Sequence, residues 1–234
     1  MLITGGAGGL GRAVARLLSE RDVRLLLVDR GESELHRVRE EIGGDTDIFA
    51  ANLSNRADIE RIFQRVDERL GRLDILVACA GVGSGPLMEM DEEGWRYVLE
   101  SNLASYLACT RRAIERMRAG GPEGGMIVLV GSISVHIKAV GESVYNAAKG
   151  GVASFAETLR KEMMEEGIRI TLIEPGAIAS AMQPFAPEER ERMMRENRML
   201  PPQEVAEAIL FAVSRPPGVD VVTLRIEPLV QKIY

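Results

Sequence analysis

Short, mostly apolar runs recur along this chain, and each is followed by a stretch with helical spacing. Leu25–Val28, Ile75–Ala78, Met126–Val130 and Ile168–Ile173 have the length of strands buried in a sheet. A first strand ends at the glycine cluster that begins with Gly5, and a last is expected near Val221–Ile226. Between them, apolar residues recur at helical spacing over Leu10–Ser19, Ser33–Ile42, Asp58–Leu70, a long fourth stretch from Trp95 to Met117 that includes Tyr106, Tyr145–Glu166 and Pro202–Val213. Parallel strands need long crossovers, and helices supply them. The sequence therefore predicts an α/β chain: a doubly wound parallel sheet of about seven strands, with helices on both faces. No repeat or linker divides residues 1–234, so one domain is expected. Residues 177–200 break the rhythm. Their Met and Phe residues, set among Arg and Glu, read as a loop plus an amphipathic helix, suited to cover a substrate.

Composition excludes several function classes. The net charge of −6 comes without a basic block, which argues against a nucleic-acid partner. No apolar run reaches the ~18–20 residues of a membrane helix, so no membrane partner is expected. The chain opens straight into a strand without a signal peptide, so the expected location is the cytoplasm. Cys79 and Cys109 lack a CxxC partner or a nearby His; they read as buried thiols, and no metal site is expected.

Thr4-Gly5-Gly6-Ala7-Gly8-Gly9-Leu10-Gly11 ends the first strand and opens the first helix. Glycines permit a tight turn and a close approach of backbone to a pyrophosphate, and a helix N-terminus offers unpaired N–H groups to that anion. Geometry alone also places glycines in such turns. Asp29 ends the second strand, where a carboxylate can accept from both ribose hydroxyls of an adenosine and repel a 2′-phosphate. This favours NAD(H), with NADP(H) as the alternative, since Arg30 follows and an Asp at a strand end also serves as a turn residue.

Tyr145 and Lys149 stand one helical turn apart on one face. An ammonium ~4 Å from the phenol, at an effective dielectric of about 20, favours the phenolate by ~4 kcal/mol. That would lower the tyrosine pKa by up to ~3 units before desolvation is counted against it. Ser132 follows the Met126–Val130 strand at its carboxyl end, where α/β folds bind ligands. Its hydroxyl is placed to polarise a carbonyl, or to cap the next turn; Ser134 competes for the role.

Together these residues resemble the short-chain dehydrogenase/reductase family, in its short single-domain branch, over nearly the whole chain. Thr4, Gly5, Gly9 and Gly11 match its Thr-Gly-x-x-x-Gly-x-Gly motif, and Asp29 its acidic residue. Ser132, Tyr145, Lys149 and Asn102 match its catalytic set, and Pro175-Gly176, Ile178 and Ser180 its nicotinamide segment. The resemblance implies a Rossmann fold and an NAD(P)-dependent oxidoreductase that interconverts a secondary alcohol and a ketone by hydride transfer. Tyr145 would be the acid/base, Lys149 would lower its pKa and bind the nicotinamide ribose, Ser132 would orient the carbonyl, and Asn102 would hold a water linking Lys149 to solvent. The implied cofactor set is Gly5, Gly8, Gly9, Leu10, Gly11, Asp29, Arg30, Asn52, Leu53, Ala80, Gly81, Tyr145, Lys149, Pro175, Gly176, Ile178 and Ser180. Substrate contacts are expected at Ser134, His136 and Met182, with Lys138 and Glu142 nearby.

The chain departs from the family where Ala78-Cys79-Ala80-Gly81 replaces Asn-Asn-Ala-Gly, where Asn52 replaces the usual Asp, and in having only Met1, Leu2 and Ile3 before Thr4. Its ending, Val221–Pro228, is similar to the branch acting on small 3-hydroxy acids, which generally uses NADP. A catalytically silent cofactor-binding sensor is the rival class, and the intact Ser132, Tyr145, Lys149 and Asn102 argue against it. Family members are usually homodimers or homotetramers through the fourth and fifth helices, and the apolar surplus on those stretches fits.

Overall fold

A computed structural model describes residues 1–21, 23–121 and 124–231. Seven parallel strands form one sheet in the order β3-β2-β1-β4-β5-β6-β7. They are β1 (Leu2–Thr4), β2 (Leu25–Asp29), β3 (Thr46–Ala50), β4 (Ile75–Ala78), β5 (Gly125–Val130), β6 (Ile168–Pro175) and β7 (Thr223–Ile226). The doubly wound α/β expectation holds. β3 is the strand the apolar runs did not announce. It lies at the sheet edge, half-buried at every position, and begins with Thr46 and Asp47 rather than an apolar run.

The period-two alternation of strand side chains separates two cores. Leu26, Val28, Leu76 and Ile127 face one side, where α3 (Arg56–Arg69), α5 (Ser105–Ala119) and α7 (Ser143–Met163) pack. Leu25, Leu27, Val77 and Val128 face the other, where α1 (Gly9–Ser19), α2 (Glu32–Ile42) and α9 (Pro202–Val213) pack. Leu26 and Leu27 are fully buried, so truncating either to Ala costs ~2–5 kcal/mol. These two faces are what bring the strand ends to a common edge.

The expected long fourth helix is not continuous. It runs as α4 (Glu92–Leu99), a π-helical turn over Glu100–Ala104, and then α5. A π turn inserts one residue and re-aims the side chains beyond it. α7 begins two residues before Tyr145 and gives way at Met163 to a single tighter turn that ends at Gly167. A short helix, α6 (Ser134–Ile137), follows β5, and α8 (Pro187–Arg195) lies within the expected cover segment. Among the described residues no helix is long and apolar enough to cross a membrane.

Candidate active site

The chain runs β1, β2, β3 in one direction and then returns to β4 on the far side of β1. The connections leaving β1 and β4 therefore diverge, which opens a crevice at their carboxyl ends. Gly5, Gly8, Asp29, Asn52, Ala80 and Gly81 line it, together with Arg30, Leu53 and Tyr97.

The glycine turn is packed to the backbone. Gly5 has φ +70°, and a Cβ there would stand 2.8 Å from the Ala80 nitrogen. A Cβ on Gly11 would stand 2.1 Å from the Gly5 carbonyl oxygen. α1 opens at Gly8 with no side chain capping its N-terminus and no acidic residue in its first turn. That end therefore presents unpaired N–H groups and a positive dipole end to the crevice, which suits a phosphate.

Asp29 does two things at once. Its Oδ2 accepts from Ala7 N at 3.1 Å, tying the glycine turn to β2, and its Oδ1 accepts from Arg30 N at 2.7 Å. The Arg30 guanidinium turns across the crevice to the Tyr97 hydroxyl and lies 5.6 Å from the ring centroid. Asn52 Oδ1 accepts from Ser54 N and Oγ, and its main-chain N–H donates to Asp58.

Asn102 is fully buried. Its Oδ1 accepts from Val82 N at 3.2 Å, and its Nδ2 donates to Val82 O and Val98 O, both at 2.9 Å. The amide thus clamps both main-chain groups of the residue after Gly81. It steadies the loop where the Asn-Asn pair of the resembling family is missing. Both ends of this side chain are thus hydrogen-bonded within the protein. Gly81 must be small here, since a Cβ would lie 2.7 Å from Asn102 Oδ1 and 3.8 Å from Lys149 Nζ.

α7 brings Tyr145 and Lys149 to the same wall, both at least nine-tenths buried. Gly151 lets the helix approach Leu103, whose methyls would lie 3.0 and 3.1 Å from a Cβ there. The Ser132 hydroxyl lies beside Tyr145 and accepts from Ser134 N at 3.1 Å. Lys149 Nζ donates to Val130 O at 2.9 Å and to the Tyr106 hydroxyl at 3.2 Å. It sits 5.8 Å from the Tyr145 ring centroid. Burial pushes Tyr145 up to about 12, with Ser132 pulling the other way and the Glu142 charge adding to the rise. Burial also pushes Lys149 down to about 7. The same cause drives the Cys79 thiol up to about 12, which keeps it protonated; against expectation the residue is only partly buried and lines the crevice, whereas Cys109 is buried.

The far wall is the 175–180 segment. Gly176 N donates to Ile226 O at 2.7 Å, Ala177 N donates to Gln231 Oε1 at 3.1 Å, and Ile178 pairs with Leu200. Ser180 faces Gly9, 3.5 Å from where a Cβ would be. The Ser134 hydroxyl is buried without a partner. His136 is half-exposed and its Nε2 lies 3.0 Å from the buried Glu174 carboxylate. Met182 is exposed beside Gly83. Tyr97, Ser101 and Tyr106 belong to this region too; helical spacing marked Tyr106 as one apolar position among several and gave no sign of its hydroxyl's partners.

Residues 1–191 match the short chain dehydrogenase family. This chain belongs to that family. It is accordingly an NAD(P)-dependent oxidoreductase of alcohol and keto groups. Among its curated relatives, this dehydrogenase is 30% identical to the 3-oxoacyl-acyl-carrier-protein reductase of Vibrio cholerae, over 91% of this chain and 88% of that one. Among solved structures it is similar to a serine dehydrogenase complexed with NADP+ (TM-score 0.85, 25% identity, 96% and 94% of the two chains). It is similar also to the actinorhodin polyketide ketoreductase with NADPH (TM-score 0.86, 26% identity, 97% and 94%).

The cleft fits such a cofactor by its own geometry. The uncapped helix end suits the pyrophosphate, the Gly5–Gly11 packing fixes the turn that holds it, and Gly81 leaves room before Lys149.

Proposed function

We propose that this enzyme interconverts a secondary alcohol and a ketone, with Tyr145 as acid/base. The observation that carries this reading is that Ser132, Tyr145 and Lys149 converge at the carboxyl end of β5, beside the crevice of the glycine turn. Ser134 N donates to the Ser132 oxygen, so the Ser132 proton is left to point at Tyr145 or at a substrate oxygen. Tyr145 then passes its proton to that oxygen during reduction, or takes it during oxidation. A nicotinamide held in the crevice would supply the hydride in reduction and accept it in oxidation. Lys149 offers positive charge to the phenolate and a donor to the nicotinamide ribose, while Asn102 fixes the loop against which the cofactor lies.

NAD(H) is the proposed cofactor, because the Asp29 carboxylate stands in the crevice and Arg30 is turned to Tyr97. The NADP-bound structural relatives make NADP(H) the alternative. Residues 177–200 form the proposed cover of a single-domain enzyme. Exposed Leu87, Met88, Val140 and Met182 on the loops that carry or adjoin the site suit a substrate with apolar bulk. Small 3-hydroxy acids are the second class, favoured by the likeness to serine dehydrogenase. A homodimer or homotetramer is proposed through the apolar surface of α5 and α7, where Leu107, Phe155 and Leu159 lie side by side; light scattering at the monomer mass refutes it.

The test is a panel of alcohols and ketones, including acyl thioesters and 3-hydroxy acids, assayed with each cofactor for nicotinamide absorbance. Tyr145→Phe is expected to lower turnover by ~10²-fold or more while cofactor affinity is kept. Turnover surviving in that variant overturns the assignment.

A further inference from the structure

Tyr106 sits on α5, in the stripe that carries Cys109 and Ala113 into the core, and it is among the largest fully buried side chains. A phenylalanine would fill the same space. A hydroxyl buried at this depth is destabilising unless it is bonded, and this one has two partners. Lysine nitrogen has only donors, so the direction of both bonds is fixed. Lys149 Nζ donates to the Tyr106 oxygen at 3.2 Å, and the phenol proton goes to Val130 O, also at 3.2 Å. Val130 O already accepts from Lys149 at 2.9 Å, so that carbonyl does not require the hydroxyl. What the hydroxyl uniquely serves is the ammonium. The ring serves it as well, with Nζ 4.6 Å from its centroid, inside the range of a cation–π contact.

We propose that Tyr106 is a positioning residue for the acid/base centre: its oxygen and ring together hold the Lys149 ammonium at the end of β5, charged and turned to the cofactor crevice. The inference rests on the oxidoreductase reading of the same site. Around the ammonium stand Tyr106 from α5, Tyr145 from its own helix, the Cys79 thiol at the end of β4 and the Asn102 amide of the π turn. None of these is a carboxylate. The ammonium is therefore solvated by neutral groups alone, and burial already works against its charge. The Tyr106 phenol is held well above its ordinary range by burial, so it stays a neutral acceptor throughout the working pH range.

The experiment compares the full-length protein with Tyr106→Phe, which loses only the oxygen, and Tyr106→Leu, which loses the ring too. Protein labelled with 13Cε-lysine reports the titration of Lys149 directly, its resonance assigned by loss in Lys149→Met. Removing an acceptor disfavours the charged form. Tyr106→Phe is thus expected to titrate at Lys149 about one pH unit lower than the wild type. The alkaline limb of kcat/KM for alcohol oxidation is expected to move down with it, and the Leu variant to move further. Thermal melts check that each variant is folded; if Leu does not fold, Phe carries the test alone. A Lys149 titration and an alkaline limb that coincide with the wild type in Tyr106→Phe overturn the proposal and leave Tyr106 a packing residue. A wild type that oxidises no alcohol in the panel refutes the oxidoreductase reading, while the lysine titration still decides what Tyr106 does.

Discussion

Replacing Gly11 by Ala puts a methyl group where there is no room for one. The new Cβ would stand 2.1 Å from the Gly5 carbonyl oxygen, 2.8 Å from its carbon and 2.9 Å from Gly6 Cα. Ordinary contact begins near 3.4 Å, so the turn and the helix must part by about 1.3 Å, and every atom in the way is backbone. Overpacking of this kind costs ~1–3 kcal/mol. For a chain of this size that lowers the melting temperature by ~2–12 °C. A displacement near 1 Å in a phosphate-holding turn is also expected to weaken cofactor binding or turnover by ~10²-fold. Gly9→Ala is the control. Its Cβ would meet Ser180 Cβ at 3.5 Å, an ordinary contact, and alanine is a better helix former than glycine. Calorimetry of the two variants, with nicotinamide fluorescence titrations for affinity, separates the effects. Gly9→Ala should melt with the wild type or above it. A Gly11→Ala protein that melts and binds like the wild type, or a Gly9→Ala protein that falls as far, refutes the packing argument.

Asp29→Asn removes the charge proposed to face the adenosine ribose and keeps an acceptor for Ala7 N. The ratio of kcat/KM for NADP to that for NAD is expected to rise ~10-fold or more, since a 2′-phosphate carries ~1.5–2 charges near that carboxylate; an unchanged ratio removes Asp29 from cofactor choice. Stability should also follow pH. Lys149 is pushed down to about 7, so above that the unfolded chain holds a proton the folded chain lacks, and stability rises by up to ~1.4 kcal/mol per pH unit. The Met1 amine, pushed down to about 6 by burial, acts in the same direction at lower pH. Cys79, Cys109 and Tyr145 are each pushed up to about 12, so above ~9 the folded chain keeps protons the unfolded chain gives up, and stability falls. Melting temperatures across pH should therefore peak near ~9, and Lys149→Met should remove the rising limb.

What the sequence reveals here depends on where the constraint lies. Gly5 and Gly11 are legible because their role is a backbone requirement that no other residue type meets. Paired strands such as Leu25–Asp29 are legible because burial on both faces demands apolar runs. β3 escapes because an edge strand with half-buried residues has no such run. The break in the fourth helix escapes for a different reason. Apolar spacing continues through Glu100–Ala104, and only the Asn102 bonds to Val82 mark the site of the extra residue. Helical spacing correctly places Tyr145 and Lys149 on one face, yet it cannot tell that the ammonium is bonded to Val130 O and Tyr106, or that desolvation dominates the Tyr145 shift.

The segment after β7 folds back over the Pro175–Gly176 turn. Gly176 has no space for a side chain because Gln231 and Pro228 stand where it would be, Gln231 takes the Ala177 N–H, and Val230 N reaches Asn197 O beside α8. The last described residues are therefore a brace on both the 175–177 turn, proposed as the nicotinamide wall, and the base of the proposed cover segment. For anyone handling this protein, an affinity tag or a cut placed near residue 231 is expected to disturb the proposed active site, so that differently tagged preparations are compared as differently braced enzymes.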